Sequence, residues 1–135
     1  MRYLLILCFV FLFTSQPLWA EEEAEEEEKA APTISYYQIK PSLVSNLASG
    51  GKYIRCDIQL MTQDEAFLEE LTLHGPAIRH TLLLLLSEQD GKTLKTAAGK
   101  EALRKSALAE IQKLLQESSG KAEVKALFFT TFFVQ

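Results

Sequence analysis

Lys52 to Thr62 reads KYIRCDIQLMT, and its alternation decides the fold class. Ile54, Cys56, Ile58 and Leu60 fall on one side of an extended chain; Tyr53, Arg55, Asp57 and Gln59 fall on the other. Successive side chains of a strand point to opposite faces, so this is a strand with one face buried and one toward water. The period then changes. Thr62-Gln63-Asp64-Glu65 has the spacing of a capping box, with Thr62 as N-cap and Glu65 reaching back. It predicts a helix to about Ser87, kinked or restarted at Gly75-Pro76, because proline has no N–H to donate and is harmless only in a first turn.

Working towards the N-terminus, Ser49-Gly50-Gly51 is a tight turn between antiparallel strands. Ser42 to Leu47 alternates weakly, and Thr33 to Ile39 (TISYYQI) is β-branched and aromatic, with Pro41 limiting it to a short or edge strand. Towards the C-terminus, Gln89 to Lys95 is a connecting turn around Gly91. Thr96 caps a second helix, on which Ala102, Leu103, Ala107, Ile111, Leu114 and Leu115 recur at helical intervals until Ser118-Ser119-Gly120 ends it. Ala122 to Gln135 (AEVKALFFTTFFVQ) is a strand apolar on both sides, which predicts a place inside the sheet, covered on each face. The predicted order is β-β-β-α-α-β: an α+β domain whose antiparallel or mixed sheet carries two main helices on one face.

Residues 33–135 make up this domain, and two segments of different character precede it. Leu4 to Phe13 is an unbroken apolar run behind Arg2, followed by polar residues and Leu18-Trp19-Ala20. Residues 1–20 therefore read as a secretory signal peptide cut after Ala20, or, uncut, as a short membrane anchor from Tyr3. Residues 21–32 form an acidic linker, with seven glutamates between Glu21 and Glu28. From Ala30 onward there are twelve Lys/Arg and eleven Asp/Glu, so the net charge of −4 belongs to the linker and not to the domain. A near-neutral domain behind an acidic tether argues against nucleic acid as a partner. Without the leader, Cys56 is the single cysteine, so no intrachain disulfide forms and the thiol reads as a small buried hydrophobe.

Leu82 to Leu86 is a run of five leucines, enough to encircle a helix. On one continuous helix, Phe67, Leu68, Leu71, Gly75, Ile78, Leu82, Leu85 and Leu86 lie within about 60° of Leu82 and form the core stripe. Ala66, Leu73, Ala77 and Leu84, with His80 beside them, form another uncharged stripe on the back. Either the second helix or the linker of the same chain covers it, or a neighbouring subunit does.

Motifs for catalysis are missing from the sequence. His74 and His80 are six residues apart and do not share a helix face as metal ligands would. There is no G-x-S-x-G and no phosphate-cradling glycine loop. The sequence points to no catalytic residue, metal or cofactor.

The succession YYQIKPSLVSNL, YIRCDIQLMTQDEAFLEEL and GPAIRHTLLLLLSEQDGKTLKTAAGKEALRKSALAEIQKLL, closing on LFFTTFFVQ, resembles the flagellar basal-body-associated FliL family over about residues 36 to 135. Its most specific pieces are Pro76 with Arg79, Leu85-Leu86-Ser87, Leu94, Gly99-Lys100 and the F-T-x-F-x-x-Q ending of Phe129, Thr130, Phe132 and Gln135. The resemblance implies a stomatin-like periplasmic domain anchored in the inner membrane and no catalysis. It also implies a homo-oligomeric ring at the basal body around the stator, supporting torque, swimming or swarming, and chemotaxis. The short N-terminal apolar run departs from the family's full-length span. Two rival expectations are a secreted FliL-like protein stabilising another envelope complex, and a small-ligand carrier with a closed apolar cavity.

Overall fold

The computed structural model describes residues 31–135. The expected leader or anchor and nearly all of the acidic linker lie outside the described residues. Among the described residues no helix is long and apolar enough to cross a membrane.

Three strands form one antiparallel sheet in the order β1-β2-β3: β1 (Ser35–Asn46), β2 (Tyr53–Thr62) and β3 (Val124–Val134). Between β2 and β3 come α1 (Phe67–Leu73), α2 (Gly75–Ser87), α3 (Gly91–Leu94) and α4 (Ala97–Ser119). The α+β class holds, with the order β-β-α-α-α-α-β. β2 is central and keeps the alternation of its sequence: Ile54, Cys56, Ile58 and Leu60 are buried, and the residues between them are not.

The strand count differs from expectation because Pro41 does not end a strand. β1 passes through it. Ile39 pairs with Ile58 and Leu43 with Cys56, so Lys40, Pro41 and Ser42 bulge opposite Asp57. An edge strand tolerates this, because one side of its backbone needs no partner and the missing proline N–H leaves no gap in the ladder. The two short strands expected at Thr33–Ile39 and Ser42–Leu47 are therefore one.

β3 also differs: it is an edge strand, and its outer face is open. Its register slips at Thr130, between the pairs Asp57–Thr131 and Ile58–Phe129, and again near Lys125. A slipped residue reverses the facing of every later residue in the strand. Phe129 and Phe132, three apart, thus both face the helices, while Phe128 and Phe133 face outward. The chain reads as apolar on both sides because of this bulge and not because helices cover both sides.

Thr62 does not cap a helix. It is still paired in β2, fully buried, and its hydroxyl accepts from the Asp64 N–H at 3.1 Å. Strand pairing extends far enough to claim the residue that the capping box needed. α1 opens instead behind Ala66, with no side-chain cap. The break near Gly75-Pro76 is present: α1 and α2 share His74 as boundary, and Pro76 sits in the first turn of α2. Between α2 and α4, the expected turn contains the short helix α3, capped by Asp90, which accepts from the Thr93 N–H at 2.9 Å. Thr96 caps α4 through Gly99 N–H at 3.0 Å, and Gly120 ends that helix in the left-handed conformation at φ 71°.

The core lies between the inner sheet face and the helices. Phe67, Leu71, Ile78, Leu82 and Leu86 come from α1 and α2, Leu103, Ala107, Ile111 and Leu115 from α4, and all are buried. Two ties fasten the margins. The Gly91 N–H donates to Ser49 O at 2.8 Å, joining the β1–β2 turn to α3. Gln135 N–H donates to Tyr53 O at 3.0 Å, and Tyr53 Oη donates to Gln135 Oε1 at 2.8 Å. The glutamine of the F-T-x-F-x-x-Q ending thus locks β3 onto the start of β2.

Candidate functional site

The five leucines divide among three environments. Leu82 and Leu86 are buried, Leu83 and Leu85 are half-buried against the core, and Leu84 is 53% exposed. Leu83 lines a cleft between β1 and α2 with Tyr37, and Leu85 lines a groove between α2 and α4. Of the predicted core stripe, Phe67, Leu71, Ile78, Leu82 and Leu86 are fully inside and Leu68 and Leu85 pack beside them. Gly75 lies against Tyr37: a Cβ there would come 3.0 Å from the tyrosine hydroxyl.

The back stripe is split by the boundary at His74. Ala66 and Leu73 belong to the α1 end, Ala77, His80 and Leu84 to α2. Leu73 is 70% exposed, Ala66 and His80 are exposed, and Ala77 is half-buried. Neither α4 nor any other described element covers the two leucines. Glutamates stand beside each one. Glu69 shares a shallow depression with Leu68, Thr72 and Leu73, while Glu88 and Glu110 flank Leu84 in the α2–α4 groove. Neither Glu69, Glu88 nor Glu110 has a cation within ion-pair distance among the described residues.

Another apolar surface, which the sequence did not reveal as such, is the outer face of the sheet. Tyr36 and Val44 of β1 and Phe128 and Phe133 of β3 are exposed there, the two phenylalanines by 42% and 50%. They form two groups. Tyr36 and Phe128 sit 6.4 Å apart between ring centroids, diagonally across β2, where Tyr36 is opposite Met61 and Phe128 opposite Gln59. Tyr53 and Phe133 sit 6.2 Å apart, beside Arg55, whose register partners are Val44 and Phe133. Between the groups the face is polar, with Gln38, Ser42, Asp57, Gln59 and Thr130 lining one depression. The Ser42 and Thr131 hydroxyls, with Arg55 nearby, hold the Asp57 carboxyl below the ordinary carboxylate range. The surplus aromatics of SYYQI and LFFTTFF are the signal for this face. They mislead as long as β3 is taken for a central strand.

Chemistry on these faces is limited. Burial, reinforced by the neighbouring Asp57 charge, pushes the Cys56 thiol up to about 12, so it is a protonated core group and not a nucleophile. His74 Nε2 lies 3.4 Å from a Glu70 carboxylate oxygen, one helical turn back, and His80 lies apart from that pair on the exposed stripe. Among the described residues no three His, Cys, Asp or Glu side chains gather where they could hold a metal ion. Arg79 serves the fold, since its guanidinium donates to Pro41 O and ties α2 to the bulge of β1. The cleft beside it, about 480 Å³, opens to solvent between Tyr37, Pro76, Arg79 and Leu83. The arrangement is suited to binding other polypeptide through apolar faces with polar margins.

Residues 36–135 match the family model for the flagellar basal body-associated protein FliL. The chain is similar to the flagellar protein FliL of Aquifex aeolicus (strain VF5), 29% identical over 101 residues that cover 73% of this chain and 60% of that relative. It is 27% identical over 121 residues to the flagellar protein FliL of Escherichia coli (strain K12), covering 87% of this chain and 78% of the relative. The Shigella flexneri protein of that name matches to the same extent. The chain spans about 60% of the length of the Aquifex relative.

Proposed function

Because the chain belongs to the FliL family of flagellar basal body-associated proteins, we propose that it is a non-enzymatic accessory of the flagellar motor. In this role it sits on the periplasmic side of the inner membrane, assembles into a homo-oligomeric ring and supports the stator in generating torque. Swimming, swarming and chemotaxis depend on that support. The observation that carries this reading is the family match over residues 36–135, which takes in nearly all of β1 and every later strand and helix described. The physical character of the surface supports it. Leaving a large apolar side chain in water forgoes roughly 1.5–3 kcal/mol of burial, so Leu73 and Leu84 favour a covering partner. In this reading Ala66, Leu73, Ala77, His80 and Leu84 contribute to the contact between subunits.

The deciding experiment deletes the gene in frame and measures swimming speed in media of increasing viscosity. Reduced speed, most marked under high load, is expected, with recovery on complementation. Unchanged torque at every load would remove the motor role and favour a FliL-like protein that stabilises another envelope complex.

A further inference from the structure

The exposed apolar residues of this domain lie on two surfaces that face opposite ways. A single sheet with helices on one side has a helix surface and an outer sheet surface, and each carries uncovered apolar side chains: Leu73 and Leu84 on the former, Tyr36, Val44, Phe128 and Phe133 on the latter. Their charges differ as well. The leucines are ringed by Glu69, Glu88 and Glu110, none of them paired among the described residues. The sheet face carries Arg55 at its Tyr53–Phe133 group and Lys40 at its polar middle, whereas Lys125 near its other end is paired with Glu123 at 3.0 Å. Asp57, two residues from Arg55 in the polar middle, is ionised.

We propose that these two surfaces are partners for each other in successive copies: the α1–α2 leucine face of one subunit docks on the outer sheet face of the next. The proposal rests on the oligomeric reading given above and adds which surfaces meet. Two features select another copy of this chain as occupant. Spacing is the first. Leu73 and Leu84 are eleven residues apart on two consecutive helices, at most about 16 Å at helical rise. Tyr36 faces Met61 and Phe133 faces Arg55, six residues apart along β2, about 20 Å at strand rise. Two leucines can therefore meet two aromatic groups, with the polar middle of the sheet under the part of α2 that carries Ala77 and His80. Charge is the other feature. Leu84 brings Glu88 and Glu110 to the Tyr53–Phe133 group, where Arg55 stands. Pairing the helix face with its own copy would instead set unpaired glutamates against each other, which is unfavourable. A contact between two different faces leaves one of each free on every dimer, so it propagates and closes only as a ring or runs on as a filament.

The test uses the full chain purified in two half-blocked forms, Leu84→Glu and Phe133→Glu, with circular dichroism to confirm folding. Sedimentation at increasing concentration should show wild type assembling, and each variant alone remaining monomeric. An equal mixture should give a one-to-one dimer and nothing larger, because only one intact pair of faces exists between them. In the single chain, Arg55→Glu and Glu88→Arg should each weaken assembly by about tenfold or more, and the double reversal should restore it. If wild type stays monomeric, the ring reading and this docking both fall. If wild type assembles while the mixture stays monomeric, or either half-blocked form assembles alone, the ring reading stands and this docking falls. Leu73→Glu and Phe128→Glu form a replacement pair for the same measurement should either of the original variants fail to fold.

Discussion

Ile58 and Gln59 are neighbours in β2, yet Ile58 is sealed under α-helices while Gln59 faces outward beside the exposed Phe128. The same contrast runs along the whole sheet. The inner face holds Ile39, Leu43, Ile54, Cys56, Leu60 and Leu127 without water; the outer face holds side chains of similar size that nothing described covers. Apolar content alone does not say what a residue does. An inner side chain stabilises the fold by leaving water during folding, whereas an outer one can leave water only when something else arrives. A domain with both has one set of residues committed to folding and another set left open to solvent.

The largest effect expected on this contrast comes from its inner side. Ile58→Ala removes buried methylene groups and leaves a cavity, and should lower stability by about 2–5 kcal/mol. Denaturant titration would read this as a lower midpoint with an unchanged slope. Phe133→Ser, on the outer side of the adjacent strand, loses a half-exposed ring and its contact with Tyr53 and should cost the monomer about 1 kcal/mol, well below the Ile58 variant. A large loss from Phe133→Ser would show that the outer face is part of the fold, and the contrast would fail.

The smallest effect is a slope with pH. Asp57 and Asp90 both have carboxyls held below their ordinary value of 3.8: Asp57 by the Ser42 and Thr131 hydroxyls, Asp90 by the Thr93 N–H, its hydroxyl and that of Ser49. A depressed folded value means that the stabilisation is fully present above 3.8 and fades as pH falls through the lower folded values. Thermal midpoints should therefore decline gently in acid below that point, less so in Asp90→Asn. An acid profile identical in that variant would show that the Asp90 contacts contribute nothing to folding.

The parts of this fold that are legible from sequence are those governed by neighbours in the chain. The alternation of β2, the caps at Thr96 and Gly120 and the interruption at Pro76 all follow from local geometry. Positions decided by distant partners are not legible. Pro41 is tolerated because β1 is an edge, and nothing local announces an edge. Thr62 has the chemistry of a cap but is retained by pairing with Ser35 and Val124 on either side. The leucine face is legible, since helical periodicity exposes a back stripe whatever covers it, although His74 divides it between two helices. The outer sheet face is not, because it depends on β3 lying beside β2 with a slip at Thr130.

That slip has a consequence for how this surface can change over generations. Losing the single codon for Thr130 would close the slip and leave every other pairing as it is, with Phe132 still opposite Cys56 inside and Phe133 still opposite Arg55 outside. The strand therefore has one place where its length can change by a residue without exchanging its sealed and presented side chains. Natural variation in the length of this short ending should be concentrated at Thr130-Thr131 and rare between Phe132 and Gln135.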